Sequence, residues 1–422
     1  MTGDRIEEVR ISTGAKGRTT PPFESTLAIR RDPYRFIRRV AEAQGVTAFE
    51  TRLLLERALC ITGAEAARFF YDGRVFKRAG AAPEFLRSTL FGKGGVQGLD
   101  GTAHFHRKDM FLRLFGPGRT DSLTATAVAG IRGALQAPGS FALQDRMEEA
   151  LTAAVSLWAG LPVPDEMLPE RARMISNLFE HAAPVDVRHV LARLSRRQAD
   201  RWAATLIDHV RGGRLAPPPE SALAVIAGWR DPEGKRLPSQ VAAVELLNTL
   251  RPVVAVSAYL TFAAHALATR PEETDALRAA PERVPWFVQE VRRTYPFFPM
   301  LVARVRKPTT WQGFALPAGR LVVLDLWGTN RDLAVWTTPG SFEPERFRDW
   351  NGDPFTLVPQ GGGEHAEGHR CPGEWVTRDL MEAGTRALLD LVDWRRLPPQ
   401  DLSLDMRNLP ALPHDRIRLK VR

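Results

Sequence analysis

PQGGGEHAEGHRCPGE, residues 359–374, decides how the rest of this 422-residue chain is read. Three consecutive glycines, Gly361 to Gly363, permit backbone angles that residues with side chains avoid. Gly368-His369-Arg370 then lead to a single cysteine, Cys371. Pro372 suits the first position of a helix, where no N–H is needed. Glu374 is spaced for a carboxylate that reaches back to the cap and favours the positive helix end. Apolar residues continue through Leu380-Met381 and Ala387-Leu388-Leu389. Cys371 is therefore expected at a helix start, beside free N–H groups, His369 and Arg370, surroundings that lower a thiol pKa. A thiolate there, with Gly373 close by, can approach a flat macrocycle and bind a haem iron axially. Most lone cysteines near glycines are ordinary buried thiols, so the remainder of the chain has to separate the two readings.

Composition sets the outer bounds. Hydrophobic residues make up 44% and charged residues 25%, ordinary proportions for a globular protein. Length alone suggests two or three domains, but no long linker divides the sequence, so residues 1–422 are expected to form one catalytic domain. Cys60 and Cys371 lie far apart and suggest no disulfide framework, as in a reducing compartment. The first residues, MTGDRIEEVRISTGAKGR, carry no apolar leader, and no run of 18 apolar residues occurs. The expected location is cytoplasmic, without a membrane anchor. The net charge of +9 is spread along the chain rather than gathered in one arm. That spread, with no nucleic-acid motif, argues against a nucleic-acid partner.

Taken in order, residues 1–35 read as an extended lead-in. Residues 36–72 show helical spacing, through Ala41-Glu42-Ala43 and Leu53-Leu54-Leu55 to Leu59, with Cys60 on that apolar face; a small β-portion is nevertheless expected from about 25–60 and again from 295–325. Phe91 to Gly101, FGKGGVQGLDG, is dense in glycine and should be a loop. It lacks the Lys-Ser/Thr spacing of a phosphate cradle, which excludes nucleotide binding. Ala103 to Lys108 read as a helix with His104 and Lys108 on one face, able to hold an anion. The pattern from 120 to 235 is mostly helical. A long helix is expected from Pro238-Ser239 to about Thr269, spanning about 45 Å. Pro252 should kink it. Arg251 lies between largely apolar flanks and is costly to bury without an anion. A further helix runs from Pro281 to about Tyr295 and carries Glu290 and Arg293, three apart. Leu301–Val305 and Leu321–Leu324 read as strands joined through a turn at Leu316-Pro317-Ala318-Gly319.

The order Glu290-x-x-Arg293, short strands, Phe342-Glu343-Pro344-Glu345-Arg346-Phe347, then a glycine-rich loop into Cys371-Pro372-Gly373 resembles the cytochrome P-450 superfamily over most of the chain. The resemblance implies a mainly α fold with a small β-portion, and haem b (iron protoporphyrin IX) held by Cys371. It implies that Glu290, Arg293 and Arg346 lock the region behind the haem. It also implies propionate partners at His104, Lys108 and His369, with Arg304 a weaker candidate. Two features depart from ordinary members. Glu364 and Glu367 stand where a Phe and a Gly are usual, and the long helix reads LRPVVAVS in place of an acid–alcohol pair. Both departures, with TLFGKGGVQGLDG, resemble one bacterial branch: fatty-acid peroxygenases and their decarboxylase relatives. Such enzymes use hydrogen peroxide in place of dioxygen and need no obligatory redox partner.

The residues support that reading on their own terms. Peroxide activation needs an acid–base group within hydrogen-bond reach. Arg251 stays protonated and cannot be a base, but it can hold a carboxylate bidentately. A long-chain fatty acid would then supply the acid–base itself, with Arg251 and Pro252 at its head and Leu90, Phe91, Ala255 and Phe297 along its tail. Gln97 stands where relatives with histidine tend toward terminal alkenes and those with glutamine toward hydroxylation. The expected reaction is hydroxylation at the α and β carbons. The alternatives are a decarboxylase, a redox-partner-dependent monooxygenase, a non-catalytic haem-thiolate sensor, and a structural α-protein without haem.

Overall fold

The computed structural model describes residues 12–14, 18–20, 24–182 and 187–421. Most are helical, and the long helix lies at the centre. It runs as two segments, Ser239–Val254 and Val256–Thr269, meeting at Ala255. Nearly every residue from Ala242 to Ala264 is buried, as expected for a helix apolar on all sides. Pro252 cannot donate to the carbonyl one turn back, and the break follows within a turn of it. This pair is long and apolar enough to cross a membrane by length and composition, but most of it is covered by protein. Packed around it are Asp121–Gln136, Leu143–Ala159, Leu168–Glu180, Val187–Arg211, Val284–Thr294 and Glu374–Leu391, sharing one large apolar core.

A five-stranded sheet forms the smaller β-portion. Its spatial order is Ala48–Leu53, Glu56–Thr62, Leu321–Asp325, Met300–Val305, Phe76–Lys77. Leu321–Asp325 runs parallel to Glu56–Thr62, with Val323 opposite Cys60, and antiparallel to Met300–Val305, with Val323 opposite Val302. The central strand is buried throughout, so its continuous Leu-Val-Val-Leu run is the pattern of a strand covered on both faces.

Three expectations change here. Within the extended lead-in, Thr26–Arg31 is a helix, and residues 1–11, 15–17 and 21–23 lie outside the described residues. Helical spacing over 36–72 holds only for Phe36–Gln44 and Ala64–Phe70. Gly45, at φ +63°, ends the first helix, and Leu53 to Leu59 form a hairpin turn and strand. Cys60 is therefore a strand residue, fully buried, with its thiol pKa pushed up by burial. Its β-branched and apolar neighbours pack against the sheet, and tertiary packing outweighs the local spacing. Finally, the Phe91–Gly101 loop contains a short 3-10 turn at Val96–Gly98.

Candidate active site

Cys371 sits in the loop between the triple glycine and the helix Glu374–Leu391. Gly361 and Gly363 have φ of +90° and +81°, angles that glycine adopts without strain. A Cβ at Gly362 would come within 2.6 Å of the Pro354 carbonyl oxygen. The Cys371 N–H donates to the Gln360 carbonyl at 3.1 Å, and the Gln360 side-chain amide points at the Cys371 sulfur at 3.9 Å. The helix starts at Glu374, two residues later than the expected first position at Pro372. The sulfur therefore lacks a full set of free helix N–H groups. Burial pushes the Cys371 thiol up, the Gly373 N–H and the Lys108 and Arg292 charges oppose this, and the Glu374 carboxylate adds to it. The expected lowering of the thiol pKa is overturned for that reason. Coordination to a metal deprotonates a thiol outright, so thiolate chemistry here would come from iron, not from the loop.

Glu374 does not cap its helix. It accepts from Arg292 at 2.5 Å and from Arg370 at 2.6 Å. Burial opposes its ionisation, but the two guanidiniums hold its carboxyl at about 2. Arg292 also donates to Gln360 at 3.0 Å. Arg292 and Glu374, both buried, thus form one brace behind the cysteine with the half-buried Arg370 and Gln360. Sequence reasoning passed over Arg292 and Gln360; the signal was present, since Gln360 lies inside the opening stretch and Arg292 is next to Arg293. Deeper still, Arg293 grips Glu290 through two bonds of 2.7 Å, with both side chains fully buried. Its remaining N–H groups go to the carbonyls of Asn330, Pro339 and Ser341. Arg346 lies 3.5 Å from Glu290.

Beside the loop, the helix Gly101–Leu114 brings up His104 and Lys108, both buried. Lys108 donates to the carbonyls of Gly368 and, at 3.0 Å, Arg370. Burial lowers its ammonium pKa to about 8, against the pull of Cys371. The His104 and His369 rings lie 3.9 Å apart, and burial holds their pKa values at about 3 and about 4. Asp100 approaches His369 at 3.8 Å. Arg304 faces elsewhere. Its guanidinium is bound by Glu56 and by the carbonyls of Gly80 and Gly319, so it does not join this group. Arg78, which sequence reasoning missed, lies over the Phe70 and Tyr71 rings beside Asp100, with burial lowering its pKa to about 10.

Arg251 lies in the last turn of Ser239–Val254, 7% exposed. Among the described residues no carboxylate pairs with it, and its Nη1 has no hydrogen-bond acceptor. Burial lowers its pKa to about 9; Arg196 adds to this, while Cys371 and Glu245 pull the other way. Glu245, the single carboxylate in the long helix, is taken up by Arg107 at 2.6 Å and Asn248 at 3.0 Å. Asn248 also donates to Gln97 at 3.2 Å, which ties the glycine-rich loop to the helix one turn before Arg251. Leu90 and Ala255 are buried, and Phe91 and Phe297 are half-buried. Phe297 stacks on Tyr259 with centroids 4.3 Å apart.

These residues suit a haem. Among the described residues no group of three His, Cys, Asp or Glu side chains could hold a bare metal ion. A lone sulfur in a glycine-formed loop, with buried cationic and imidazole groups at its edge, matches a macrocycle that brings its own in-plane ligands.

The cytochrome P-450 family profile matches residues 273–420. Among curated proteins, the chain is 31% identical over 118 residues to ferruginol synthase 1 of Rosmarinus officinalis, covering 27% of this chain and 23% of that protein. It is 34% identical over 124 residues to cytochrome P-450 71B24 of Arabidopsis thaliana, covering 28% and 24%. The chain thus spans about a quarter of the length of these curated relatives. Solved structures match far more fully. Cytochrome P-450SP alpha is 45% identical at a TM-score of 0.91, covering 94% of this chain and 98% of that one. Cytochrome P-450EX alpha, solved with myristic acid, is 39% identical at 0.89, covering 94% and 96%. Cytochrome P-450 OleT, ligand-free, is 29% identical at 0.89, covering 94% and 96%. With Cys371 in its glycine loop and the buried Glu290–Arg293 lock behind it, the chain belongs to the cytochrome P-450 superfamily, in the branch of P-450SP alpha and P-450EX alpha.

Proposed function

We propose that this protein is a peroxygenase that uses hydrogen peroxide to hydroxylate long-chain fatty acids at the α and β carbons. The observation that carries the reading is Arg251, a buried guanidinium with an N–H lacking an acceptor, in the last turn before the break in the central helix. A buried unpaired cation costs several kcal/mol, and a carboxylate ligand relieves that cost. Two similar chains were solved with carboxylic acids, P-450EX alpha with myristic acid and P-450SP alpha with (R)-ibuprophen, which supports a carboxylate at this point.

Haem b would be held by Cys371, with Lys108, His104 and His369 as the groups to receive its propionates, and would supply the oxidising chemistry. The chain's own groups position and protonate. Gln360 directs an N–H at the Cys371 sulfur. Arg251 orients the substrate head bidentately and keeps its own proton. Glu245 is held by Arg107 and Asn248, and the Gln97 amide does not titrate. The substrate carboxylate on Arg251 is then the group left to move a proton between the peroxide oxygens. A head fixed there keeps the first carbons of the chain nearest the reacting centre. The test is haem-loaded protein with hydrogen peroxide and fatty acids of graded length, without any redox partner, followed by product analysis. α- and β-hydroxy acids are expected. Turnover that appears only with a reductase, or terminal alkene as the main product, would overturn the proposal.

A further inference from the structure

A cavity of about 380 Å³ lies between Ser88–Lys93, the middle of Val187–Arg211 and the first turns of the long helix. Lys93, Arg193, Arg196 and Arg197 line it, against Asp200 as the one carboxylate. Arg193 and Arg197 are exposed and one turn apart. Neither has a carboxylate partner among the described residues, so their charge faces the opening. Arg196 is the inner wall and only 3% exposed. Its Nε donates to Asp200 at 2.9 Å and its Nη1 to the Thr89 carbonyl at 3.2 Å. Its Nη2 is 2.9 Å from the same Asp200 oxygen but out of line for a hydrogen bond, and has no acceptor. A Cβ at Gly92, where φ is +80°, would collide with that nitrogen, so glycine allows the loop to close against it. Gln240 and Val244 of the long helix also line the cavity, and Arg251 follows Val244 by seven residues, two turns on along the same face of that helix. Two guanidiniums, each buried and each with an N–H lacking an acceptor, are therefore found inward of a cationic rim, one in the cavity wall and one two turns further along the helix that lines it.

We propose that this cavity is a capture site for the carboxylate of a free fatty acid, received at the Arg193–Arg197 rim, passed to Arg196, and then delivered to Arg251. The inference rests on the fatty-acid reading above. A cleft lined by one sign of charge raises the local concentration of the opposite ion and speeds its association. Exposed rim charges act mainly on the association rate and are screened by salt. Neutralising the rim should therefore slow binding of the acid, and reversing its sign should invert the salt response.

The experiment is rapid mixing of haem-loaded full-length protein with palmitate, followed through the haem absorption shift, at low and high salt. Hexadecanol, which has the same chain without the charge, is the control ligand. Association of palmitate with the wild type should slow as salt rises. Arg193→Gln with Arg197→Gln should be slower by about tenfold at low salt and nearly salt-independent. Arg193→Glu with Arg197→Glu should speed up as salt rises. Hexadecanol rates should be alike in all three. Unchanged palmitate rates and salt slopes in both variants would overturn the capture site, as would equal slowing of hexadecanol, which marks a distorted loop. A wild type showing no palmitate shift at any salt concentration would instead overturn the fatty-acid reading on which the capture site depends.

Discussion

On the function proposed above, Arg251 trades stability for function. Among the described residues it has neither an ion-pair nor a hydrogen-bond partner for Nη1, in an apolar stretch where burial lowers its pKa to about 9. Replacing it by an apolar side chain should raise the stability of the acid-free protein while weakening the acid complex. Arg251→Met is expected to gain about 1–4 kcal/mol in denaturant unfolding without acid and to lose about 1.5–3 kcal/mol of fatty-acid affinity. An Arg251→Met protein that binds acid as tightly as the wild type would remove the head-group role. Gln97 acts at a second point on the same face, through Asn248 at 3.2 Å. A histidine there gains or loses a proton near neutral pH, whereas an amide does not. Gln97→His is expected to shift products from hydroxy acids toward terminal alkene, read by gas chromatography of peroxide-driven reactions. An unchanged ratio would limit Gln97 to holding the loop on the helix.

At the scale of elements, the strand Leu321–Asp325 ends on a buried carboxyl that caps the short helix Leu326–Thr329. Asp325 accepts from the Gly328 N–H at 2.7 Å and from Thr62 at 3.4 Å. Burial raises its pKa from 3.8 to about 7 against those two donors. The unfolded chain therefore releases this proton near pH 4, while the folded chain keeps it until near pH 7. Across that window the folded state binds more protons, so stability falls as pH rises and levels off above about 7. Asp325→Asn keeps an oxygen for the Gly328 N–H and removes the titration. Relative to wild type, the variant should gain about 2–3 kcal/mol more at pH 8 than at pH 5, measured as urea midpoints of the haem-loaded protein. An equal difference at both pH values would mean that Asp325 is ionised in the folded protein throughout.

On the scale of the whole molecule, the site exists because remote segments converge. Cys371 comes from near the end of the chain, Arg251 from the central helix, and Lys108 and Gln97 from the first third. A ligand that bridges such parts stabilises the folded state by mass action. A fatty acid at one hundred times its dissociation constant should add about 2.7 kcal/mol, or ~3 °C in a thermal scan of a chain this long. Arg251→Met should keep the stabilisation from haem and lose about half or more of this increment at the same acid concentration. An increment that is undiminished in Arg251→Met would indicate that the tail alone anchors the acid.

Local chemistry in the sequence determined much of this protein. The long apolar helix with Arg251-Pro252 inside it, the strand pair Leu301–Val305 and Leu321–Leu324, and the spacing of Glu290 and Arg293 each follow from rules acting over a few residues and are present as read, and the glycine run leads to Cys371 as expected, with its helix starting two residues later. Tertiary structure decided what depends on partners distant in the chain. Cys60 became a strand residue because Val323 lies opposite it, 263 positions away. Glu374 left its capping role because Arg292 offers a buried guanidinium, a stronger partner than the backbone N–H of a helix end. Arg304, which the family resemblance offered as a weaker propionate partner, is held by Glu56 across the sheet. The Cys371 thiol rises rather than falls because its shift is set by burial and the neighbouring Glu374 charge. Periodicity and motif spacing report on an element's own face. Desolvation and ion pairing depend on what the fold sets against that face, and those partners are separated along the chain by most of its length.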